Sequence, residues 1–406
     1  MAKNGLKPEI RFAGFTEDWE QRKLGGVTDR VQGNDGRMGL PTLTISAANG
    51  WLDQKDRFYD NIAGNEQKNY TLLKKGQLSY NHGNSKLAKY GVIFELQNYD
   101  EALVPRVYHS FKAKENVAPS FIEYLFATKR PDKELGKLIS SGARMDGLLN
   151  ISFDDFMSIE IPVPTIKEQI KISSFFRTLD NLITLHQRKY EKLIDFKKAM
   201  LEKMFPKDGA DIPEIRFTGF IGAWERRKLK ELSDVYDGTH QTPQYTDSGV
   251  MFLSVENIKT LQSKKYISKE AFKKEFKIFP EKGDILMTRI GDIGTVNVVE
   301  SNEPKAYYVS LALLKYKKLD PYFLKESISS ETVKKDLFHR TLHIAFPKKI
   351  NKNEIANVLI PYPKSEDEQH QIGAFFKHLD DLITLQQREL EKLKNIKKAM
   401  LDKMFV

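Results

Sequence analysis

Two long stretches of the chain repeat apolar residues with the heptad spacing of helices that pack on other helices. Residues 168–205 and 368–405 share the blocks FF, LD, LITL, QR, EKL, KKAML and KMF at one constant offset. Neither stretch contains proline, so each is predicted to form one continuous helix about 57 Å long. Unrelated amphipathic helices, each packed on its own domain, have no reason to keep the same polar residues in the same places. We therefore expect these two helices to pack on each other.

The heptad pattern also places the seam between the two helices. With Phe176 taken as an a position, the seam comprises Leu179, Ile183, His186, Tyr190, Leu193 and Lys197 in the first helix and Leu379, Ile383, Gln386, Leu390, Leu393 and Lys397 in the second. An antiparallel arrangement then lets Lys197 lie beside Gln386 and His186 beside Lys397. A buried polar group that faces an apolar one costs about 1–3 kcal/mol, so this register is favoured over one shifted by a heptad.

A second repeated pattern opens each half of the chain. The segment PEIRFAGFTEDWEQRKL at residues 8–24 returns as PEIRFTGFIGAWERRKL at residues 213–229. Each half therefore opens alike and ends in the same helix, which indicates duplication of a whole module with pseudo-twofold symmetry. Trp19 and Trp224 occupy equivalent positions and are predicted to anchor the two cores. The expected boundaries are a first domain at 1–165, a first helix at 166–205, a connector at 206–212, a second domain at 213–364 and a second helix at 365–406.

Between the repeated opening and the long helix, the two halves differ in sequence but keep predicted strands, short helices and prolines at equivalent places. Buried strands are predicted at Leu40–Ile45 and Val250–Val255, closing strands at Ile159–Pro164 and Val358–Pro363, and short helices at Pro119–Thr128 and Pro321–Phe338. Prolines in the closing strands end them before the long helices. The expected fold class is α+β, with two domains of mixed α/β structure, each followed by a long helix, and the two helices forming an antiparallel coiled coil.

Composition narrows the classes of function. The 406 residues carry a formal charge of +10, which favours a polyanionic partner such as nucleic acid. Cysteine is absent, which excludes disulfides, zinc–thiolate sites and cysteine nucleophiles. No apolar run is long enough to span a bilayer, and the opening residues lack the apolar core of a signal peptide. We therefore expect a cytoplasmic protein.

Taken together, these patterns resemble the specificity subunit of type I restriction–modification systems. The resemblance covers almost the whole chain and rests on the twin openings PEIRF…W-E-x-R-K-L and the twin segments I-P-x-P…E-Q…I…F-F…L-D…L-I-T-L, with divergent sequence between them. It implies a non-catalytic DNA-binding subunit whose divergent regions are target recognition domains, each reading one half of a split DNA sequence.

The resemblance also implies partners. The antiparallel coiled coil would separate the recognition domains and dock two modification subunits, which methylate adenine with S-adenosylmethionine. Separate restriction subunits would translocate and cut the DNA. S-adenosylmethionine, ATP and Mg²⁺ would then belong to the partner subunits, and no cofactor is expected on this chain.

The chain lacks the motifs that those reactions require. No [D/N/S]-P-P-[Y/F/W] loop for a flipped adenine occurs, since residues 320–322 read DPY, and no G-x-x-x-x-G-K-[S/T] phosphate loop is present. The acidic run EDE at 366–368 precedes a helix, where carboxylates favour the positive N-terminal end. His339 and His343 have a spacing that suits a metal but no third ligand, which favours a surface or DNA-facing role. We therefore expect neither enzymatic activity nor a metal site.

Base reading requires side chains that reach base edges: Arg or Lys for guanine, Asn or Gln for adenine, and Ser, Thr or His as adaptable partners. Polar loops in both domains carry such residues. The candidate base readers are Asn81, His82, Asn84, Ser85, Lys86 and Arg144 in the first domain and Thr239, His240, Gln241, Thr288, Arg289, Arg340 and His343 in the second. The candidate phosphate contacts, which position DNA without specifying its sequence, are Lys89, Lys348 and Lys349.

Two other functions stay open on the sequence alone. One is a non-catalytic protein–protein scaffold whose two variable domains bind proteins rather than DNA. The other is a self-sufficient restriction enzyme, which the missing motifs oppose. Salt dependence separates DNA binding from the scaffold, because contacts to several phosphates weaken steeply as salt rises.

Overall fold

The computed structural model describes residues 6–58, 64–83, 85–139, 147–317 and 319–406. The chain forms two compact units, one of residues 1–186 with 389–406 and the other of residues 187–388. Each unit therefore contains one module, the beginning of the long helix that follows it, and the end of the other long helix. The sequence-based division instead sets both helices apart from the modules, and that division stays a prediction.

The first half of the chain ends in a long helix, as its pattern predicts. Its elements are β1 Glu20–Lys23, α1 Leu24–Val27, β2 Thr28–Arg30, β3 Leu43–Ser46, β4 Gly50–Asp53, α2 Gln54–Phe58, β5 Thr71–Lys74, β6 Leu78–Asn81, β7 Val92–Glu95, β8 Glu101–Val104, β9 His109–Ala113, α3 Pro119–Ala127, α4 Asp132–Leu138, α5 Phe153–Ser158, β10 Glu160–Val163 and α6 Ile166–Lys203. The predicted buried strand, short helix and closing strand correspond to β3, α3 and β10.

The second half follows the same plan with one difference from expectation. Its elements are β11 Glu225–Lys228, α7 Leu229–Leu232, β12 Ser233–Asp237, β13 Tyr245–Thr246, β14 Val250–Leu253, β15 Tyr266–Ile267, α8 Lys269–Glu275, β16 Ile285–Thr288, β17 Val296–Val298, β18 Lys305–Tyr307, β19 Leu311–Tyr316, α9 Pro321–Ser329, α10 Glu331–His339, α11 Lys352–Ala356, β20 Leu359–Tyr362 and α12 Glu366–Lys403. The single helix predicted at Pro321–Phe338 is two helices, because Ser330 between them is extended, with φ −66° and ψ 155°.

Both units are built on the same four-stranded antiparallel sheet. Its strand order is β2-β9-β6-β7 in the first unit and β12-β19-β16-β17 in the second. Leu78 pairs with Phe111 in one sheet and Ile285 with Leu314 in the other. The duplication predicted from the repeated openings therefore extends to the topology of the sheets.

The core of the first unit lies against one face of this sheet. Tyr80 on β6 stacks on Phe156 of α5 with ring centroids 4.3 Å apart, and Phe111 and Phe121 join the same buried cluster. Beside its main sheet the second unit has the sheet β13-β15-β14-β18, in which β14 and β18 run parallel. Each module thus has its own copy of the main sheet, and the two modules differ in the elements around it.

The repeated openings attach each module to a long helix. Arg11 donates two hydrogen bonds of 2.7 Å to the buried carboxylate of Glu168, and Arg216 donates two of 2.6 and 2.7 Å to that of Glu368. The acidic run at 366–368 does lie in the first turn of α12, as expected. Glu368, however, serves as the counter-ion of Arg216 as well as lying at a helix end.

Trp19 and Trp224 are core residues, as predicted, and each is 3% exposed. The ring of Trp19 packs edge-on against Phe405 with centroids 6.1 Å apart, and Trp224 packs likewise against Phe205 at 5.8 Å. Each module therefore holds in its core the phenylalanine that follows the end of a long helix.

In the first unit the beginning of α6 and the end of α12 run antiparallel. Phe176 and Phe405 lie 5.9 Å apart between ring centroids, and Asp180 Oδ1 lies 2.5 Å from Lys397 Nζ. From the first contact to the second, the residue number rises along α6 and falls along α12, so the two segments are antiparallel, as predicted. The seam lysine therefore binds a carboxylate, and the placement of His186 beside it stays a prediction.

The second unit repeats this geometry with the end of α6 and the beginning of α12. Phe205 and Phe376 lie 6.0 Å apart between ring centroids, and Lys197 Nζ lies 2.6 Å from Asp380 Oδ1. The heptad pattern places Lys197 beside Gln386, which stays a prediction; it did not indicate the two carboxylates that Lys197 binds, Asp380 and Glu326. It missed Asp380 because this residue lies beside the seam, where the long lysine side chain can still reach it.

Burial along the two helices follows the heptad pattern. The side chains at all the seam positions named above are buried or half-buried. Leu182 and Leu185, which lie off the seam, are 38% and 61% exposed. The spacing of apolar residues alone therefore identified the covered face of both helices.

Candidate nucleic-acid interface

At one edge of its main sheet the first unit has a cleft of about 700 Å³. The chain segments that leave β2, enter β9 and enter α5 surround it. Its rim carries four exposed polar side chains, Arg30, Gln32, Arg106 and Asn150. Neither Arg30 nor Arg106 forms an ion pair with any acidic residue in the described part of the chain. The cleft therefore offers two uncompensated guanidinium groups and two amides to a ligand.

Arg30 is held in place by an aromatic ring. Its guanidinium carbon lies 4.2 Å from the ring centroid of Phe153, at the start of α5. Stacking on an aromatic face restrains the guanidinium plane while its N–H groups stay free to donate. Because those N–H groups form a planar fork, Arg30 is suited to bidentate contact with guanine or with phosphate oxygens.

Two stacked histidines line the inner part of the cleft. The rings of His82 and His109 lie 4.8 Å apart and 12° from parallel. The pKa of His109 is lowered to about 4, chiefly by burial; a hydrogen bond to the carbonyl of Ile151 opposes this fall, while His82 and Arg30 contribute to it. His109 is therefore neutral at pH 7. It donates from Nε2 to the carbonyl of Ile151 at 2.9 Å, which leaves Nδ1 as an acceptor.

The second unit fills the equivalent place with an ion pair. Leu149 donates its N–H to the carbonyl of His82 at 2.9 Å, and Ile350 donates to that of Arg289 at 3.0 Å, so His82 and Arg289 are structural counterparts. The guanidinium of Arg289 binds the carboxylate of Asp237 and donates from Nε to the carbonyl of Ile350 at 3.2 Å. Arg289 is 7% exposed. The two modules thus present different chemistry at one edge of the same sheet.

The structure corrects the role predicted for His82. It is 6% exposed, and its ring nitrogens lie 2.7 and 2.9 Å from the carbonyl oxygens of Leu149 and Val107. Asn81 is also used internally, since it donates to the carbonyl of Ile45 at 3.2 Å and accepts from Gly83 at 3.1 Å. These two side chains therefore hold the loop after β6 in place through hydrogen bonds within the module, and they do not project from it towards a ligand.

DNA contact by the remaining candidates of the first module stays a prediction. Ser85, Lys86 and Lys89 are exposed, and the ammonium of Lys89 lies 5.3 Å from the ring centroid of Tyr90. Asn84 and Arg144 lie outside the described residues.

In the second module three candidate base readers turn out to be structural. Thr288 is fully buried and accepts the N–H of Thr295 at 3.0 Å. Arg289 is buried and is held by the ion pair with Asp237 described above. Arg340 binds Asp336 at 2.7 Å and Glu354 at 3.2 Å. The hydroxyl of Thr288 is buried, and both guanidinium groups are paired with carboxylates of the same module, so these three side chains serve its internal contacts.

The other candidates of the second module lie at its surface. Thr239 is half-buried, whereas the side chains of His240, Gln241, His343, Lys348 and Lys349 are exposed. His343 folds back on α10, with Nε2 2.8 Å from the carbonyl of Phe338. Base reading by Thr239, His240 and Gln241 stays a prediction, as do phosphate contacts by the two lysines.

Among the described residues no group of three or more His, Asp and Glu side chains could hold a metal ion. His339 and His343, whose spacing suited a metal, are accordingly without a third ligand in that part of the chain. No described helix is long and apolar enough to cross a membrane.

Sequence reasoning missed the rim of the cleft. Arg30 is the last residue of β2, Gln32 follows two positions later, and Arg106 follows Pro105 before β9. The two-residue spacing of Arg30 and Gln32 was a usable signal, because alternate residues of a strand share one face. Arg106 and Asn150 gave no local signal, since only the sheet brings their loops together.

The family of the chain follows from comparison with known proteins. The model of the type I restriction modification DNA specificity domain matches residues 16–194 and again residues 222–395. The chain belongs to this family. It is therefore a DNA specificity subunit of a type I restriction–modification system, made of two specificity domains and acting on DNA together with other subunits of that system.

Relatives support this assignment over most of the chain. The type I restriction enzyme MjaVIII specificity subunit of Methanocaldococcus jannaschii is 26% identical over 295 residues, which cover 69% of this chain and 68% of the relative. The putative type I restriction enzyme MjaX specificity subunit of the same organism is 24% identical over 430 aligned positions, covering 98% and 95%.

Solved structures share the fold. The S subunit of a type I restriction-modification system from M. genitalium is 16% identical with a TM-score of 0.61, covering 98% of this chain and 99% of that one. A chain from a study of complex assembly and conformational transition of the type I R-M system gives 18% identity and a TM-score of 0.51, covering 95% and 97%. The two-domain architecture with a coiled coil is therefore that of known specificity subunits.

Proposed function

We propose that each module reads one half of a split DNA target through the sheet edge at which the two modules differ. The observation that carries this proposal is the equivalence of His82 and Arg289. The same backbone position, after the same strand, lies beside an open cationic cleft in one module and a closed ion pair in the other. Divergent chemistry on a common frame is what independent reading of two different half-sites requires.

In the first module the cleft supplies the contacts. Arg30 and Arg106 can donate to guanine N7 and O6 or to phosphate oxygens, and Gln32 and Asn150 can pair with adenine N6 and N7. The neutral His109 adds no charge to the site. The two arginines carry their positive charge at the rim of the cleft, where phosphates would lie.

In the second module the contacts come from exposed loops. His240 and Gln241 follow β12 and present donors and acceptors, while Lys348 and Lys349 position the phosphates. Arg289 takes no part in base reading under this proposal, because it is 7% exposed and its guanidinium binds Asp237 and the carbonyl of Ile350 within the module.

The chain itself would be non-catalytic and cytoplasmic. It would dock two modification subunits, which methylate adenine with S-adenosylmethionine, and restriction subunits would join through the complex and cleave with ATP and Mg²⁺. The chain then contributes sequence recognition and the partners contribute all the chemistry. The absence of methyltransferase and phosphate-loop motifs from the sequence supports this division.

The test maps the target and then measures binding to it. Long-read sequencing that detects methylated bases, applied to DNA from cells that express the complete system, should reveal a motif in two defined parts separated by unread bases. Affinity of the full chain for a duplex with this motif should fall steeply with salt, by about one decade per decade of salt for each phosphate contacted. If affinity for the duplex depended neither on salt nor on the presence of the motif, the protein–protein scaffold would be favoured instead.

A further inference from the structure

The second unit carries a short hairpin with an apolar tip. The N–H of Leu342 donates to the carbonyl of Lys349 at 2.8 Å and closes the loop. At the tip Ile344 is 99% exposed and Phe346 is 104% exposed. Scattered apolar residues on a surface are ordinary, but two large side chains in complete exposure on one loop indicate a site that another molecule covers.

The base of the hairpin is fixed to the rest of the module. Lys349 forms a second backbone bridge with Ile290, and Gly291 donates its N–H to the carbonyl of Lys348 at 2.8 Å. On the other side the ring of His343 packs 4.3 Å from that of Phe338. The tip is therefore presented by a braced loop, which reduces the entropy lost when it enters a partner.

The charge around the tip is positive. Between residues 337 and 350 the sequence contains no acidic residue. Lys348 and Lys349 are exposed, and neither forms an ion pair with an acidic residue in the described ranges. Unpaired cations beside an apolar tip favour a partner that offers anionic groups next to an apolar slot.

Duplex DNA has that combination. A protein interface of ordinary size covers about 800 Å² on each partner, whereas two side chains at a narrow tip match the gap between two unstacked base pairs. We propose that the hairpin Leu342–Lys349 is a wedge that enters the duplex between adjacent base pairs. Ile344 and Phe346 fill the opened step, and the two lysines bind the flanking phosphates.

This inference rests on the proposed reading of DNA by the second module and adds a way of choosing sequence without base contacts. Unstacking costs least at pyrimidine–purine steps, which are the most flexible. The wedge would therefore favour such a step in or beside the half-site of the second module, although no polar side chain reads it.

The experiment uses the full chain and duplexes that contain its mapped target. 2-Aminopurine is placed at successive positions through the half-site that the second module reads, and its fluorescence reports unstacking. The variants are Phe346→Ala and the double variant Ile344→Ala/Phe346→Ala. Ile221→Ala is the matched control, because Ile221 is 92% exposed in the opening repeat of the same module.

With the native chain, fluorescence should rise at one step, and the double variant should abolish the rise and lower affinity about 10-fold to 100-fold. An abasic site at that step should restore most of the affinity of the double variant, because the step no longer needs to be opened. The control should match the native chain in all these measurements.

Three results would overturn the wedge. If the double variant gave the same rise in fluorescence and the same affinity as the native chain, the wedge would be excluded and the proposed function would stand. Loss of modification-subunit binding with unchanged DNA binding would make the hairpin a protein contact. Failure of the native chain to bind its mapped duplex would instead refute the proposed function, and the wedge with it.

Discussion

At the residue scale, the rim of the cleft in the first unit is the part of the molecule most suited to reading bases. Arg106 is exposed at the entry to β9, on a loop that the sheet places opposite Asn150. Arginine in such a setting discriminates guanine when both of its donors reach one base, and only positions the duplex when they reach phosphates.

Substitution of Arg106 tests this role. Arg106→Gln should relax recognition at one or two bases of one half-site, by about 1–3 kcal/mol if the contact with guanine is bidentate. Competition binding with duplexes that differ at single positions measures the effect. Arg22→Gln is the control, since Arg22 is exposed on β1 and pairs only locally with Glu20. Unchanged affinity for every duplex would remove Arg106 from the interface.

The buried position of Arg289 leads to a different expectation. Arg289→Ala should destabilise the second unit by about 1–3 kcal/mol, because it leaves the half-buried carboxylate of Asp237 without its counter-ion. Adding Asp237→Asn should recover part of the loss, and Lys348→Ala should have no effect on unfolding by denaturant. Native stability combined with an altered base preference would show instead that Arg289 reads DNA.

Glu123 predicts a dependence of stability on pH. Burial raises its pKa to about 7, with Glu95 and Asp180 adding to the rise, while a hydrogen bond from the N–H of Glu95 and the charge of Arg177 oppose it. An acid whose folded pKa exceeds its unfolded value loses stability as pH rises through that interval. Glu123→Gln should therefore stabilise the protein at pH 8 relative to pH 5, by roughly 1–2 kcal/mol after allowance for partial exposure.

Thermal or denaturant unfolding at the two pH values measures this effect. The exposed residue Glu115 supplies the control Glu115→Gln, which should show no pH-dependent gain. An equal gain for Glu123→Gln at pH 5 and pH 8 would contradict the raised pKa.

At the scale of elements, the repeated motifs act as clamps between module and helix. Arg216 of the second opening and Glu368 of α12 form a bidentate pair in which the glutamate side chain is 1% exposed. Gln369, the next residue, accepts the N–H of Asp320 at 3.2 Å and donates to the carbonyl of Pro363 at 2.9 Å. The twin E-Q dipeptides recur because both side chains are needed to join the start of a helix to its module.

Removal of one partner should expose the role of the clamp. Arg216→Met leaves a buried carboxylate unpaired and should cost about 3–5 kcal/mol in the unfolding of the second unit. The double variant with Glu368→Gln should regain most of this. Arg227→Met breaks an exposed pair with Glu225 and should cost at most about 1 kcal/mol. A similar cost for both single variants would refute the clamp.

Local pattern predicted elements well and side-chain roles poorly. The closing strands β10 and β20 and the helix α3 could be predicted because proline and apolar spacing act over a few residues. The break at Ser330 could not be predicted, because the sequences of α9 and α10 together have the pattern of a single helix. His82, Thr288 and Arg289 have the residue types of base readers, and only the packing of distant segments commits them to the interior.

At the scale of the whole molecule, duplication explains how one chain can recognise two different sequences. Each unit has its own sheet, its own core cluster and its own antiparallel pair of helix segments. The clamps and tryptophans that join module to helix are the same in both, whereas the sheet edge that would face DNA differs. We therefore expect that recognition can change in one module without change in the other.

The most direct test exchanges one module. Residues 25–160 are replaced by the same region of a relative with a different target, and methylated motifs are mapped by long-read sequencing in cells that express the complete system. The account predicts that one half of the split motif changes to that of the relative while the other half is retained. A motif in which both halves change, or neither does, would contradict independent reading by the two modules.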